Sequence, residues 1–162
     1  TWAVQIAKAL GAEVTAVCST HNVDAAREMG ADHVIDYTKD DFTKLATGFD
    51  AMIDIVGNRK LSECRDLLGD GGRYVMVSGP KRKWLGPMGR MLAAQFIFMR
   101  RSQKFVWYVA NVNREDLEEL QGMVERGEIS AVIDRRYSLS EVPDAFRYLG
   151  EGHARAKLVV NI

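Results

Sequence analysis

Residues 1–17, TWAVQIAKALGAEVTAV, decide the fold class. Trp2–Leu10 reads as a helix that is apolar on most sides, with Gln5 and Lys8 as its polar positions, and Gly11 stops it. Such a helix is expected to be buried against a sheet. Glu13–Cys18 (EVTAVC) is β-branched and apolar, the composition of a strand inside a parallel sheet.

The alternation continues outward from that pair. Val23–Met29 is a short helix ended by Gly30, and His33–Tyr37 (HVIDY) a short strand. Asp41–Ala46 forms a helical turn introduced by Thr38. Phe49–Val56 (FDAMIDIV) is a strand closed by Gly57, Leu61–Leu68 a helix, and GDGG at 69–72 a tight turn. Arg73–Ser78 (RYVMVS) is a strand ended by Gly79 and Pro80. Strands and helices alternating over short links predict an α/β fold with a doubly wound parallel sheet. Lys81–Met99 breaks the pattern: it is basic and glycine-containing at first, then apolar, and no element is assigned to it. Phe105–Val112 (FVWYVANV) reads as a strand by aromatic and β-branched content. Glu115–Arg126 reads as an amphipathic helix with Leu117, Leu120 and Val124 on one face. Val132 and Ile133 begin a short extended piece, Ser140 caps a helix to Leu149, and Lys157–Ile162 is the last strand.

Composition narrows the function classes. The 162 residues fit one domain, and 47% hydrophobic content supplies a core. Twenty-two basic residues balance 22 acidic ones, which argues against a general nucleic-acid binder. Cys18 and Cys64 form neither a disulfide framework nor a zinc spacing, and point to a reducing, cytoplasmic setting. His21, His33 and His153 show no metal-ligand spacing, so no metal site is expected. No apolar run is long enough to span a bilayer.

The pieces AVQIAKALGAEVTAV, GADHVIDY, FDAMIDIVG, LLGDGGRYVMVSG and VIDRRYSLSEVPDAFRYLGEGHARAKLVV cover nearly the whole chain, and GADHVIDY and GHARAKLVV are the more specific of them. Through them the chain resembles the cofactor-binding domain of the medium-chain dehydrogenase/reductase superfamily, in its zinc-independent, quinone-oxidoreductase-like branch. The resemblance implies a Rossmann-type dinucleotide-binding domain that follows a barrel-like catalytic domain. Residues 1–162 are then expected to be a partial domain, without its first strand, its glycine-rich loop or the catalytic domain. In the usual strand order that first strand is central, so the chain alone is expected to be poorly stable.

Parallel sheets bind ligands at the carboxyl ends of their strands. After the first strand come Ser19, Thr20, His21 and Asn22, with no acid before Asp24 to bond the adenosine ribose hydroxyls. This favours NADP over NAD. Relatives using NADP often carry Lys or Arg where Asn22 stands, and Arg27 is the nearby cation. The resemblance places Tyr37 on the adenosine side, with a half-buried structural aromatic as the open alternative. It places Val56 and Gly57 along the cofactor and gives Asp54 a structural role. It puts Ser78 and Gly79 near the nicotinamide ribose, and Arg155 and Lys157 near the nicotinamide and pyrophosphate; Ala156 stands where relatives have glycine. Arg155 as a surface charge stays open. Cys18 reads as core. The basic positions Lys81, Arg82, Lys83 and Arg90 read as a solvated surface, with an anionic-substrate entrance as the alternative.

The resemblance implies an oxidoreductase in which NADPH delivers hydride to a quinone, enone or aldehyde, with the chain alone inactive and its catalytic residues unassigned. The Phe105–Val112 strand is expected to pair two subunits in a homodimer, since an open aromatic edge is an aggregation hazard. The competing reading is a non-catalytic Rossmann-like scaffold or regulatory domain. A methyltransferase fits the α/β alternation but not the closing GHARAKLVV.

Overall fold

The computed structural model describes the chain except residues 46, 78–85, 100, 108–110, 153 and 155, with residues 86–88 described by backbone only. The fold is α/β, and every strand pair is parallel. The chain divides into two compact units, Thr1–Asp40 with Val112–Ile162, and Asp41–Asn111.

In the discontinuous unit, α1 (Trp2–Ala9) leads to β1 (Thr15–Cys18), α2 (Val23–Glu28) and β2 (His33–Asp36). β1 and β2 pair in register from Thr15 opposite His33 to Cys18 opposite Asp36. α1 is less buried than its composition predicts: its one buried residue is Gln5, the polar position. The reason is an amide clamp. Gln5 Nε2 donates to the Ser130 carbonyl at 3.1 Å, and the Ser130 N–H donates to Gln5 Oε1 at 2.8 Å. The Asp32 carboxylate of the GADHVIDY motif accepts from Lys8 Nζ at 2.8 Å and from the Val14 N–H at 2.7 Å, tying helix to strand entry.

Later in the same unit come α5 (Arg114–Glu125), β6 (Ile133–Ser138), α6 (Val142–Gly150) and β7 (Lys157–Asn161), with β6 paired to β7. Asn113 caps α5 by accepting from the Asp116 N–H at 2.8 Å. Its predicted apolar face is rotated: Met123 is buried, whereas Leu117 and Val124 are exposed. Beyond Gly127 the chain turns back, so that the Glu128 N–H donates to the Met123 carbonyl and Ile129 is buried as well. The extended piece at Val132 is a full strand from Ile133. Ser140 is not the cap expected of it. Ser138 and Glu141 form a capping box over a 3₁₀ turn that precedes α6.

The continuous unit holds β3 (Phe49–Asp54), α3 (Leu61–Asp66), β4 (Leu68–Met76), α4 (Gly86–Phe98) and β5 (Lys104–Trp107), in sheet order β3-β4-β5. A 3₁₀ turn at Phe42–Lys44 is capped by Asp41 rather than introduced by Thr38. Leu61, Cys64, Leu68, Tyr74, Met76, Ala94 and Phe98 form the core. Tyr74 stacks on Phe98 and Phe105, with centroids 5.8 and 6.1 Å away. α4 occupies the stretch that carried no prediction. The strand expected over Phe105–Val112 begins one residue earlier and is described to Trp107; Val112 lies in the other unit.

GDGG is a bulge in β4, not a turn before it. Phe49 pairs with Leu68, but Ala51 already pairs with Arg73, so the glycine segment is extra length on one strand. Gly72 passes so close to β3 that an added Cβ would sit 2.7 Å from the Phe49 carbonyl oxygen. Gly72→Ala is therefore expected to lower stability by about 1–3 kcal/mol, the range for overpacking, as a reduced urea midpoint with an unchanged m-value.

Candidate cofactor-binding site

The β1–β2 register brings two strand ends together. With Cys18 opposite Asp36, the Ser19–Asn22 turn meets the Asp36–Lys39 turn. The Tyr37 N–H donates to the Cys18 carbonyl at 3.0 Å, and the Tyr37 side chain is half exposed. Asp36 is buried at the centre. Its Oδ2 accepts from Thr20 Oγ1 at 2.5 Å, and its Oδ1 accepts from Thr38 Oγ1 at 2.7 Å and the Thr38 N–H at 3.0 Å. Lys39 Nζ stands 3.4 Å from Oδ2. The Thr20 hydroxyl, then that of Thr38, hold the Asp36 carboxyl well below the usual carboxylate range.

Asp36 adds an acid to this end of the sheet, beyond the Ser19–Asn22 turn, which carries none before Asp24. It lies in a different strand from the turn inspected in the sequence, and only pairing brings it to Thr20. It also occupies the Thr20 hydroxyl. Asp36, Thr38 and Lys39 are thus site residues that strand-by-strand reading missed. Their signal was a carboxylate ending HVID, followed at once by a hydroxyl and a cation. Arg27 pairs with Asp24 at 3.2 Å. Ser19 is half-buried and its carbonyl accepts from the Asn22 N–H at 2.8 Å. The Asn22 side-chain oxygen is buried with no partner among the described residues. It is an acceptor that a ribose hydroxyl would satisfy, so the residues here fit a dinucleotide. Cys18, expected in the core, is half-buried, and burial raises its thiol pKa.

The second strand end belongs to the continuous unit. After β3, Asp54 Oδ1 accepts from the Val56 N–H at 3.1 Å and the Gly57 N–H at 2.7 Å. Gly57 has φ 69°, a conformation that disfavours any side chain. Asp54 Oδ2 accepts from Tyr74 Oη at 2.5 Å and from Arg90 Nη2 at 3.3 Å. Arg90, expected on a solvated basic surface, is instead largely buried on α4, because its guanidinium neutralises Asp54. Burial, then the bond to Asp54, raises the Tyr74 pKa, and burial pushes the neighbouring Cys64 thiol up to about 11.

Lys157 opens β7, is exposed, and donates its N–H to the Val132 carbonyl at 3.1 Å. Ser78, Gly79, Arg155, His153 and Lys81–Lys83 lie outside the described residues. His33 is exposed and meets Glu13 at 2.9 Å. Among the described residues no group of three or more His, Cys, Asp or Glu could hold a metal ion, and no helix is long and apolar enough to cross a membrane.

Known proteins resemble this chain over nearly its whole length. The mouse protein "NAD(P)H oxidoreductase RTN4IP1, mitochondrial" is 34% identical over 177 residues, covering 100% of this chain and 45% of its own length. The Arabidopsis thaliana "Chloroplast envelope quinone oxidoreductase homolog" is 29% identical, over 98% of this chain and 48% of its own. The solved quinone oxidoreductase from Coxiella burnetii superposes with a TM-score of 0.79 at 29% identity, over 99% of this chain and 48% of that one. The chain thus spans about half the length of these relatives. A family profile described as "Zinc-binding dehydrogenase" matches residues 29–160, and the chain belongs to that family, among the quinone-oxidoreductase-like members of the medium-chain dehydrogenase/reductase superfamily.

Proposed function

We propose that the intact protein is an NADP(H)-dependent oxidoreductase that reduces a quinone, an enone or an aldehyde. The family supports the reaction class, and relatives named as quinone oxidoreductases and trans-enoyl reductases support the acceptor classes. The observation that carries the cofactor preference is the saturation of Asp36. A carboxylate selects NAD by accepting the ribose hydroxyls. Asp36 already receives the Thr20 hydroxyl, the Thr38 hydroxyl and N–H, and the Lys39 ammonium, which fill the acceptor sites of its two oxygens. It is left with nothing to offer a ribose. Lys39, which pairs with it, and the half-exposed side chain of the adjoining Tyr37 are donors for a 2′-phosphate.

Bound NADPH would supply the hydride. The chain's own part is to hold the adenosine end at Ser19, Thr20, Asn22 and Tyr37 and, at the second strand end, to present the exposed Val56 next to the buried Gly57. Ser78, Gly79, Arg155 and Lys157 complete the proposed set. In this reading the protein works in the cytoplasm, and the Phe105–Val112 strand, described from Lys104 to Trp107, pairs two copies; the free thiols Cys18 and Cys64 accord with a reducing compartment.

Titration of the intact protein with NADPH and NADH, followed by turnover with each acceptor class, tests the proposal. NADPH is expected to bind at least about tenfold tighter, a difference of about 1.4 kcal/mol, and Lys39→Ala to narrow that ratio. Equal affinities would remove the NADP assignment. Binding without oxidation by any acceptor would favour the scaffold reading.

A further inference from the structure

The polar cluster behind the β3 strand end lies beside an aromatic core. Tyr74 is fully buried and Asp54 is 9% exposed, yet one places a hydroxyl and the other a carboxylate there. Buried ion pairs are often no more stabilising than well-packed apolar residues of the same size. A role beyond stability is visible in what the cluster grips. Asp54 holds the Val56 and Gly57 N–H groups on one oxygen, and Tyr74 and Arg90 hold its other oxygen. Arg90 Nη1 also donates to the Arg59 carbonyl at 2.7 Å, and Nη2 to Tyr74 Oη at 3.0 Å. The segment from Asp54 to Arg59 is therefore pinned at both ends, from β4 and from α4. Between the pins, Ile55 and Val56 stand 58% and 62% exposed at the carboxyl end of a parallel strand, where ligands of such sheets bind.

We propose that Tyr74 and Arg90 are positioning residues that act through Asp54 to hold the Val56–Gly57 turn in the shape that receives the dinucleotide. This rests on the cofactor-binding reading above. Neither residue touches the cofactor; each restricts the backbone that does. A turn already held in one conformation loses less entropy on binding, so the effect falls on cofactor affinity and not on the chemical step.

The test uses the intact protein with Tyr74→Phe and Arg90→Lys. The first removes one donor, and the second keeps the charge but loses the fork that spans Asp54 and Arg59. Leu68→Ala is the control, since Leu68 is buried at the far end of the same strand pair. Three quantities are read: the NADPH Kd, the hydrogen-exchange rate of the Gly57 amide, and Tm. In both cluster variants the Gly57 amide should exchange faster and NADPH should bind about tenfold more weakly, the effect of one lost charge-assisted bond, with kcat at saturating NADPH unchanged. Leu68→Ala should lower Tm and leave the other two alone. A Kd that follows Tm across all three variants, or a Gly57 amide that opens with no change in Kd, overturns the inference. A parent protein that binds neither NADPH nor NADH overturns the cofactor reading and this one with it, a result seen before any variant is made.

Discussion

Asp54→Ala is expected to destabilise the Asp41–Asn111 unit by about 3–5 kcal/mol, the range for removing one partner of a buried ion pair. Three losses coincide. Arg90 keeps its charge in a site where only 13% of its side chain reaches solvent. The Tyr74 hydroxyl loses its acceptor at full burial, and the Val56 and Gly57 N–H groups lose theirs. Asp54→Asn should recover part of the loss, because its side-chain oxygen can still accept the two backbone N–H groups while its amide meets Arg90 as a donor facing a donor. Urea denaturation of the three proteins gives the order: parent, then Asn, then Ala. An alanine variant within 1 kcal/mol (~0.7 of a tenfold step) would mean that the cluster is solvated and the ion pair has little weight.

The second large effect comes from α4. Phe98→Ala is expected to lower stability by about 3–5 kcal/mol, the range for a buried phenylalanine, because Phe98 is 6% exposed, stacks on Tyr74 and packs at a tilt against Phe105. Phe96→Ala, two residues away and 71% exposed, should change stability by less than about 0.5 kcal/mol. Thermal unfolding of the pair checks both the helix and its rotation. Similar losses for the two would place the wrong face of α4 on the sheet.

The alternating pattern was readable because β1, β2, β3 and the Arg73–Met76 part of β4 are short runs rich in β-branched and apolar residues. α4 was not, because MLAAQFIFM has apolar residues on nearly every side and no polar face to mark a helical period. The GDGG bulge looked like a turn because the same glycines serve both, and only the shifted pairing of Phe49 and Ala51 tells them apart. The site divides in the same way. Ser19, Thr20, Asn22 and Tyr37 were legible as candidates because they follow strands. Asp36 and Arg90 were not, because their importance comes from partners at other strand and helix ends: Thr20 for one, Asp54 and Tyr74 for the other. Local sequence announces which residues leave a strand, but not which of them will neutralise a charge arriving from elsewhere.

The Gln5–Ser130 clamp joins residues 125 positions apart, and one whole unit lies between the two segments it connects. During synthesis the ribosome therefore completes the inner unit first. The Thr1–Asp40 segment, with Gln5 and the β1–β2 pair, waits for its complement, which at about 5–20 residues per second takes about 6–25 s to emerge. In that interval its half-covered apolar helix is open to chaperones and proteases, so the outer unit closes last and is the stage at which a nascent chain is most exposed to loss.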